Sequence, residues 1–241
     1  MIWENFKNNF DESWWPKMKS FIESKECDEI YSFLKEQGRR GVKIVPLSCD
    51  TWRCFKETSF SNLKVILLGQ SPYATFKEGI PIADGLLMGC SKTNILQPSL
   101  QQFYNACERE LFNGLALSYK KDPDVTYLAK QGVLMLNAAL TTEINKPGSH
   151  LLIWEPFMKY LFTEVMSGVN VPIVLLGKDA QKIEKYISPF THIIKLSHPA
   201  SASYAKEDWD AKGMFKEINE VLKYNNGESI QWMEEGSDLP F

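Results

Sequence analysis

The sequence predicts an α/β fold, a three-layer αβα arrangement around a central four-stranded parallel sheet. Three observations predict it. Four short runs are rich in Val, Ile and Leu and are bounded by Gly, Pro or polar residues, the pattern of strands buried on both faces. Stretches with apolar residues at helical spacing separate these runs, and strands alternating with helices make a parallel sheet covered on both sides. No internal repeat, low-complexity tract or Gly/Ser-rich linker interrupts the chain, so a single domain spanning 1–241 is expected.

Taken in order, Trp15 to Cys27 and Cys27 to Gln37 read as two helices before the first strand, Lys64 to Gln70. A helix from Ser99 to Leu115 follows, with a Pro-Ser start and with Leu100, Phe103, Tyr104, Cys107 and Leu111 at helical spacing. The second apolar run is Gly132 to Thr141. A helix over Trp154 to Val165 carries Phe157, Leu161, Phe162 and Val165 on one face. The third run is Pro172 to Lys178, and Asp179 to Ile187 reads as a short polar-faced helix. The fourth run is His192 to His198. Lys212 to Tyr224 closes the pattern with Phe215, Ile218, Val221 and Leu222.

Composition narrows the function classes. Hydrophobic residues make up 44% and charged residues 24%, which excludes disorder, collagen and coiled coil. The 27 Lys+Arg against 30 Asp+Glu give a net charge of −3, so any nucleic-acid role rests on a local site and not on a basic stripe. No apolar run reaches the ~18 residues of a membrane span. The polar N-terminus lacks the core of a signal peptide, and a cytoplasmic chain is expected. Five cysteines without a CxxC pair suggest reduced thiols. Three histidines without HExxH or Cys/His spacing suggest no metal and no cofactor.

Ligands of parallel sheets bind beyond the carboxyl ends of the strands. Four segments fall there. Gln70-Ser71-Pro72-Tyr73 exposes polar groups on a turn that Gly69 permits and Pro72 stiffens; it could equally be an ordinary strand–helix turn. Asn137 interrupts an apolar strand and needs partners, either neighbouring backbone or a planar polar ligand. Lys178 and Asp179, after the third run, either face the site or are solvated charges at a helix start, and the second reading is preferred; GKDA lacks the P-loop pattern. His198 is either a surface turn residue or a donor at the ligand mouth. Ser201 and Ser203 follow it in a small-residue loop suited to a phosphate.

Together these segments resemble the uracil-DNA glycosylases of the family-one type. That family reads GQDPYH, LLLNAVLT and HPSPLS where this chain reads GQSPYA, LMLNAALT and HPASAS. The likeness extends to Pro98-Ser99-Leu100, to Ala129–Leu134, to Ser149-His150 with Trp154-Glu155, and to Ile230-Gln231-Trp232. It implies that a flipped uracil is held in a tight pocket. Asn137 would bond the base's Watson–Crick edge, the Gln70 backbone would support a base carbonyl, and Tyr73 would exclude a C5 methyl. His198 would donate to the base oxygen on which charge develops. Pro98, Ser99, Ser201 and Ser203 would contact DNA, with Ser99 and Ser203 on phosphates. The resemblance favours a monomer.

Several positions depart from the family. Its water-orienting Asp is Ser71, and losing a general base costs roughly 10²–10⁴-fold, about 3–5 kcal/mol of barrier. Its second-turn His is Ala74, and the Phe that stacks on the base is Met88, which is softer. The wedge Leu is Ala202 and one phosphate-gripping Ser is Ala200. The basic segment that follows in the family reads Tyr204 to Asp210 here, with three carboxylates against Lys206, which weakens the salt-dependent phosphate attraction. Asp84, where the family has His, either supplies part of the missing charge or is a solvated loop residue or helix cap.

Two functions from different classes follow. The first is a DNA glycosylase cutting uracil or a related modified pyrimidine from DNA, slowed or altered by Ser71, and suited by Ala202 to single strands. The second is an inactive glycosylase fold that binds DNA or a protein partner in replication or repair. A nucleoside hydrolase would leave the phosphate-facing serines idle.

Overall fold

A computed structural model of the protein describes residues 4–115 and 118–236; both ends of the expected 1–241 domain and residues 116–117 lie outside the described residues. The four apolar runs form one sheet. Its strands are β1 (Val65–Gly69), β2 (Val133–Asn137), β3 (Ile173–Leu176) and β4 (Ile193–Leu196), in the order β2-β1-β3-β4. All three pairings are parallel, so every strand ends on the same edge. Gly69 lies opposite Asn137 in that register. β1, β2 and β3 are buried along their whole length, which is why they lack polar alternation, whereas the edge strand β4 exposes Lys195.

Helices flank the sheet: α1 (Trp15–Ile22), α2 (Lys25–Arg39), α3 (Arg53–Glu57), α4 (Pro98–Phe112), α5 (Thr126–Lys130), α6 (Leu151–Tyr160), α7 (Lys178–Gln181), α8 (Pro199–Ala205) and α9 (Met214–Asn226). Two aromatic clusters tie the helices to one another within the core that also contains the strands. In one, Trp52 packs edge-on against Phe157 at 4.9 Å and Trp154 at 5.5 Å. In the other, Phe215 packs edge-on against Phe103 at 5.0 Å and Trp232 at 5.2 Å. Burying each such ring contributes roughly 4–6 kcal/mol of gross transfer free energy.

The element boundaries differ from the sequence reading for local reasons. The first helical pair breaks at Ser24, whose hydroxyl accepts from the Cys27 N–H and caps α2. α4 stops at Asn113, in the left-handed conformation at φ 52°, and does not reach Leu115. α6 starts before Trp154 and continues through Leu161–Val165 as a wide turn in which Met166 N–H bonds Leu161 C=O. After Gln181, Lys182–Tyr186 tightens to a 3₁₀ turn. The largest difference is α8. The segment read as a small-residue loop is a helix, with Pro199 at its first position, His198 as its cap and Lys206 ending it in the left-handed conformation.

Candidate active site

A cavity of about 710 Å³ opens at the carboxyl edge of the sheet. Gln70, Ser71, Tyr73, Met88, Pro98, Ser99, His198, Ser201 and Ser203, nine of the residues singled out in the sequence, line it. Ala202 and Asn137 do not. Ala202 packs inward against the core. Asn137 ends β2 beside Gly69, next to the turn that carries Gln70.

The turn after β1 is tied to the loop before α6. Asn145 N–H donates to Ala74 C=O at 2.8 Å, and Gly148 N–H donates to Ser71 Oγ at 3.0 Å. The Ser71 hydroxyl thus accepts from the backbone and keeps its own proton to donate. Gly148 is constrained on two counts. Its φ is +77°, and a Cβ there would stand 3.1 Å from Gln70 Nε2.

Gln70 Nε2 donates in turn to Asp179 Oδ2 at 2.5 Å. Asp179 therefore turns inward and is not the solvated helix-start charge its sequence context suggested. Among the described residues it is the one carboxylate lining the cavity. A charged hydrogen bond from Lys182, 2.7 Å away, holds its carboxyl below the usual range, with the Gln70 bond adding to the effect, so it is ionised at neutral pH. Its place after the third strand allowed it to face the site, but its partner Gln70 is 109 residues away and nothing local announced that bond.

His198 is partly buried, and desolvation lowers its pKa from 6.5 to about 4, so the imidazole is neutral at pH 7. Its Nδ1 accepts the Ala200 N–H at 3.1 Å. A neutral ring whose Nδ1 is an acceptor carries its proton on Nε2, which leaves that nitrogen as a donor. Gly177, at φ +87°, allows this placement; a Cβ there would lie 3.1 Å from His198 Cβ.

The Asn137 amide is almost fully buried, and its Oδ1 has no hydrogen-bond partner among the described residues. Such an orphaned acceptor costs about 1–3 kcal/mol, which a ligand N–H would recover. The alternative in which Asn137 satisfies neighbouring backbone is not what the structure holds. Tyr73 bonds Ser99 through their hydroxyls at 2.6 Å, and burial pushes the Tyr73 phenol pKa up. Ser203 Oγ donates to Pro98 C=O at 3.1 Å and Ser201 Oγ to His198 C=O at 2.6 Å. All three serine hydroxyls have partners within the protein, so gripping a phosphate means exchanging one of those bonds. Met88, 4% exposed, lines the cavity at φ 59°, a left-handed conformation that costs about 1–3 kcal/mol in a non-glycine residue.

Asp84 is neither solvated nor at the cavity. It is fully buried, pairs with Arg53 at 2.9 Å and accepts from Leu86 N–H, Ser91 N–H and Ser91 Oγ. Its charge is neutralised there and does not replace the missing acid. Among the described residues no group of three or more His, Cys, Asp or Glu side chains could hold a metal ion, and no helix is long and apolar enough to cross a membrane.

Comparisons with known proteins bear on the family of the chain. Residues 55–223 match the model of the uracil DNA glycosylase superfamily. A uracil-DNA glycosylase of Acinetobacter baylyi is 32% identical over 230 residues, 94% of this chain and 93% of that protein. One of Francisella tularensis is 32% identical over 210 residues, 85% of this chain and 90% of that protein. The crystal structure of the mimivirus uracil-DNA glycosylase is 25% identical, covers 92% of this chain and 87% of its own, and superposes with a TM-score of 0.81. A Y322F variant of that mimivirus enzyme, solved in complex with UGI, is 25% identical with a TM-score of 0.78, covering 95% and 94% of the two chains. The chain belongs to the uracil DNA glycosylase superfamily, as a uracil-DNA glycosylase-like hydrolase.

Proposed function

We propose that this protein hydrolyses the N-glycosidic bond of uracil, or of a related modified pyrimidine, in DNA, and that it does so more by stabilising the departing base than by activating water. The observation that carries the reading is His198, a neutral imidazole that lines the cavity with Nδ1 occupied and its donor proton on Nε2. As the C1′–N1 bond breaks, its electron pair leaves on the base, and negative charge develops on the base oxygen. A fixed donor there is worth roughly 10²–10³ in rate. Water then bonds to C1′, and the proton it loses neutralises the base anion, so the balance closes without a protein base.

Other features support the reading. The unpartnered acceptor of Asn137, buried beside the turn that carries Gln70, is of the kind that suits the N3–H of uracil, whereas cytosine presents a lone pair at that position. Ser71 orients water through its hydroxyl but carries no charge. Asp179 supplies the anionic group of the cavity, facing the cationic sugar of the transition state. Met88 in place of an aromatic ring leaves the base less tightly stacked. The partner is uracil-containing DNA, with the protein acting as a monomer. UGI, bound by the mimivirus variant, is a candidate protein ligand.

The test is strand scission by alkali after incubating uracil-containing single- and double-stranded oligonucleotides with excess enzyme. Wild type should produce breaks, and His198→Ala should slow them by roughly 10²–10³-fold. No breaks from wild type, with activity appearing in Ser71→Asp, would assign the chain as a binding module instead.

A further inference from the structure

The geometry points to Tyr204 as a stacking platform for an unpaired base beside the extruded nucleotide. This rests on the glycosylase reading above, which brings a DNA strand to the cavity. α8 presents Ala200, Ser201, Ser203 and Tyr204 to the cavity and turns Ala202 into the core. The position expected to fill the gap left by a flipped base is therefore both too small and facing inward.

Tyr204, two residues on, is 87% exposed at the cavity rim. No hydrogen bond or ring contact holds its side chain among the described residues. Its backbone, by contrast, is fixed. Lys206 N–H bonds Ser203 C=O, Glu207 N–H bonds Ala202 C=O at 3.0 Å, and Gln102 on α4 donates to Glu207 C=O at 3.0 Å. A large ring on a fixed support is a preorganised contact, which limits the ordering cost of binding.

The charges around it favour bases over phosphates. Glu207, Asp208 and Asp210 follow directly, and among the described residues only Asp208 has a cationic side-chain partner, Arg109 at 3.4 Å. Although Lys178 lines the cavity, a segment of this sign beside Tyr204 holds a polyanionic backbone poorly. Stacking on an aromatic face tolerates it, because every base offers a π-face irrespective of charge. A base within a duplex has its faces covered by its neighbours, whereas in a single strand it can turn onto the ring.

The test measures binding by fluorescence anisotropy of labelled single strands carrying 2′-fluoro-2′-deoxyuridine, whose fluorine suppresses cleavage. A matched strand replaces the bases on both sides of the uracil with abasic spacers. Tyr204→Ala should weaken binding of the intact strand by roughly 5- to 150-fold, with the salt dependence and the thermal midpoint unchanged. Tyr204→Phe should retain affinity. On the spacer strand, Tyr204→Ala should cost nothing further. Equal loss on both strands, or no loss on either, would overturn the proposal. The readout needs no cleavage, so Tyr204–base coupling in a protein that never cuts would sink the glycosylase reading alone. A cutting enzyme indifferent to Tyr204 would sink the platform alone, and failure of wild type to bind any strand would sink both.

Discussion

Gln70 and Asp179 meet across the mouth of the sheet, the amide of one donating to the carboxylate of the other at 2.5 Å. They follow the adjacent strands β1 and β3, so the contact brings a carboxylate, itself paired with Lys182, against the residue that precedes Ser71. Asp179→Asn keeps an acceptor for Gln70 but removes the charge. Its single-turnover cleavage rate should fall about tenfold, or ~1.4 kcal/mol of barrier, with little change in DNA affinity. An unchanged rate would dismiss Asp179 as a contributor to the chemistry.

Ser71→Asp should act in the opposite direction. A carboxylate can still accept the Gly148 N–H, so the turn has no reason to move. The gain expected from a restored base is roughly 10²–10⁴-fold in the single-turnover rate. A rate equal to wild type would mean that position 71 does not reach the attacking water.

His198 gives a prediction with a defined pH window. Its folded pKa of about 4 lies below the unfolded value of 6.5. Between those values the unfolded chain binds a proton that the folded chain refuses, so stability falls as pH drops from 6.5 towards 4. The buried His150, also lowered by desolvation, acts with the same sign. In NMR titrations the His198 ring should stay neutral at pH 5.5, and the cleavage rate should show no His198 limb near 6.5. A ring that titrates at 6.5 would contradict the desolvated, neutral donor.

Much of the fold was legible because its signals are local. The four strands declare themselves by apolar runs, and Gly69, Asn137 and His198 fall at the expected sheet edge. The illegible parts depend on distant partners. Nothing near Asp84 announces Arg53, 31 residues earlier, and nothing near Asp179 announces Gln70. α8 was missed for a different reason. Ala and Ser next to a proline suit a loop as well as a helix, and packing of Ala202 against the core accompanies the helical form.

The Arg53–Asp84 pair yields a stability prediction. Asp84 anchors the turn leading to Met88 and is fully buried, while Arg53 keeps secondary ion-pair partners in Glu57 and Asp124. Breaking a buried pair costs about 3–5 kcal/mol, and the residual partners place Asp84→Asn at the lower end. Urea unfolding would measure it. A loss below about 1 kcal/mol, the range of exposed pairs, would show that the pair is solvated in solution.

Gly69 carries a consequence of another kind. A Cβ on it would sit 2.3 Å from Leu87 Cδ1 and 3.2 Å from Asn137 Oδ1. The side chain of Leu87 occupies the volume that Gly69 leaves vacant, so the two positions are coupled by size. Gly69→Ala alone should unfold more readily and disturb the Asn137 amide. In a Leu87→Ala background the same methyl should be accommodated, so that the double variant is more stable than the sum of its singles allows. Positions 69 and 87 thus form a lock-step pair, in which a change at one is tolerated only after a compensating change at the other.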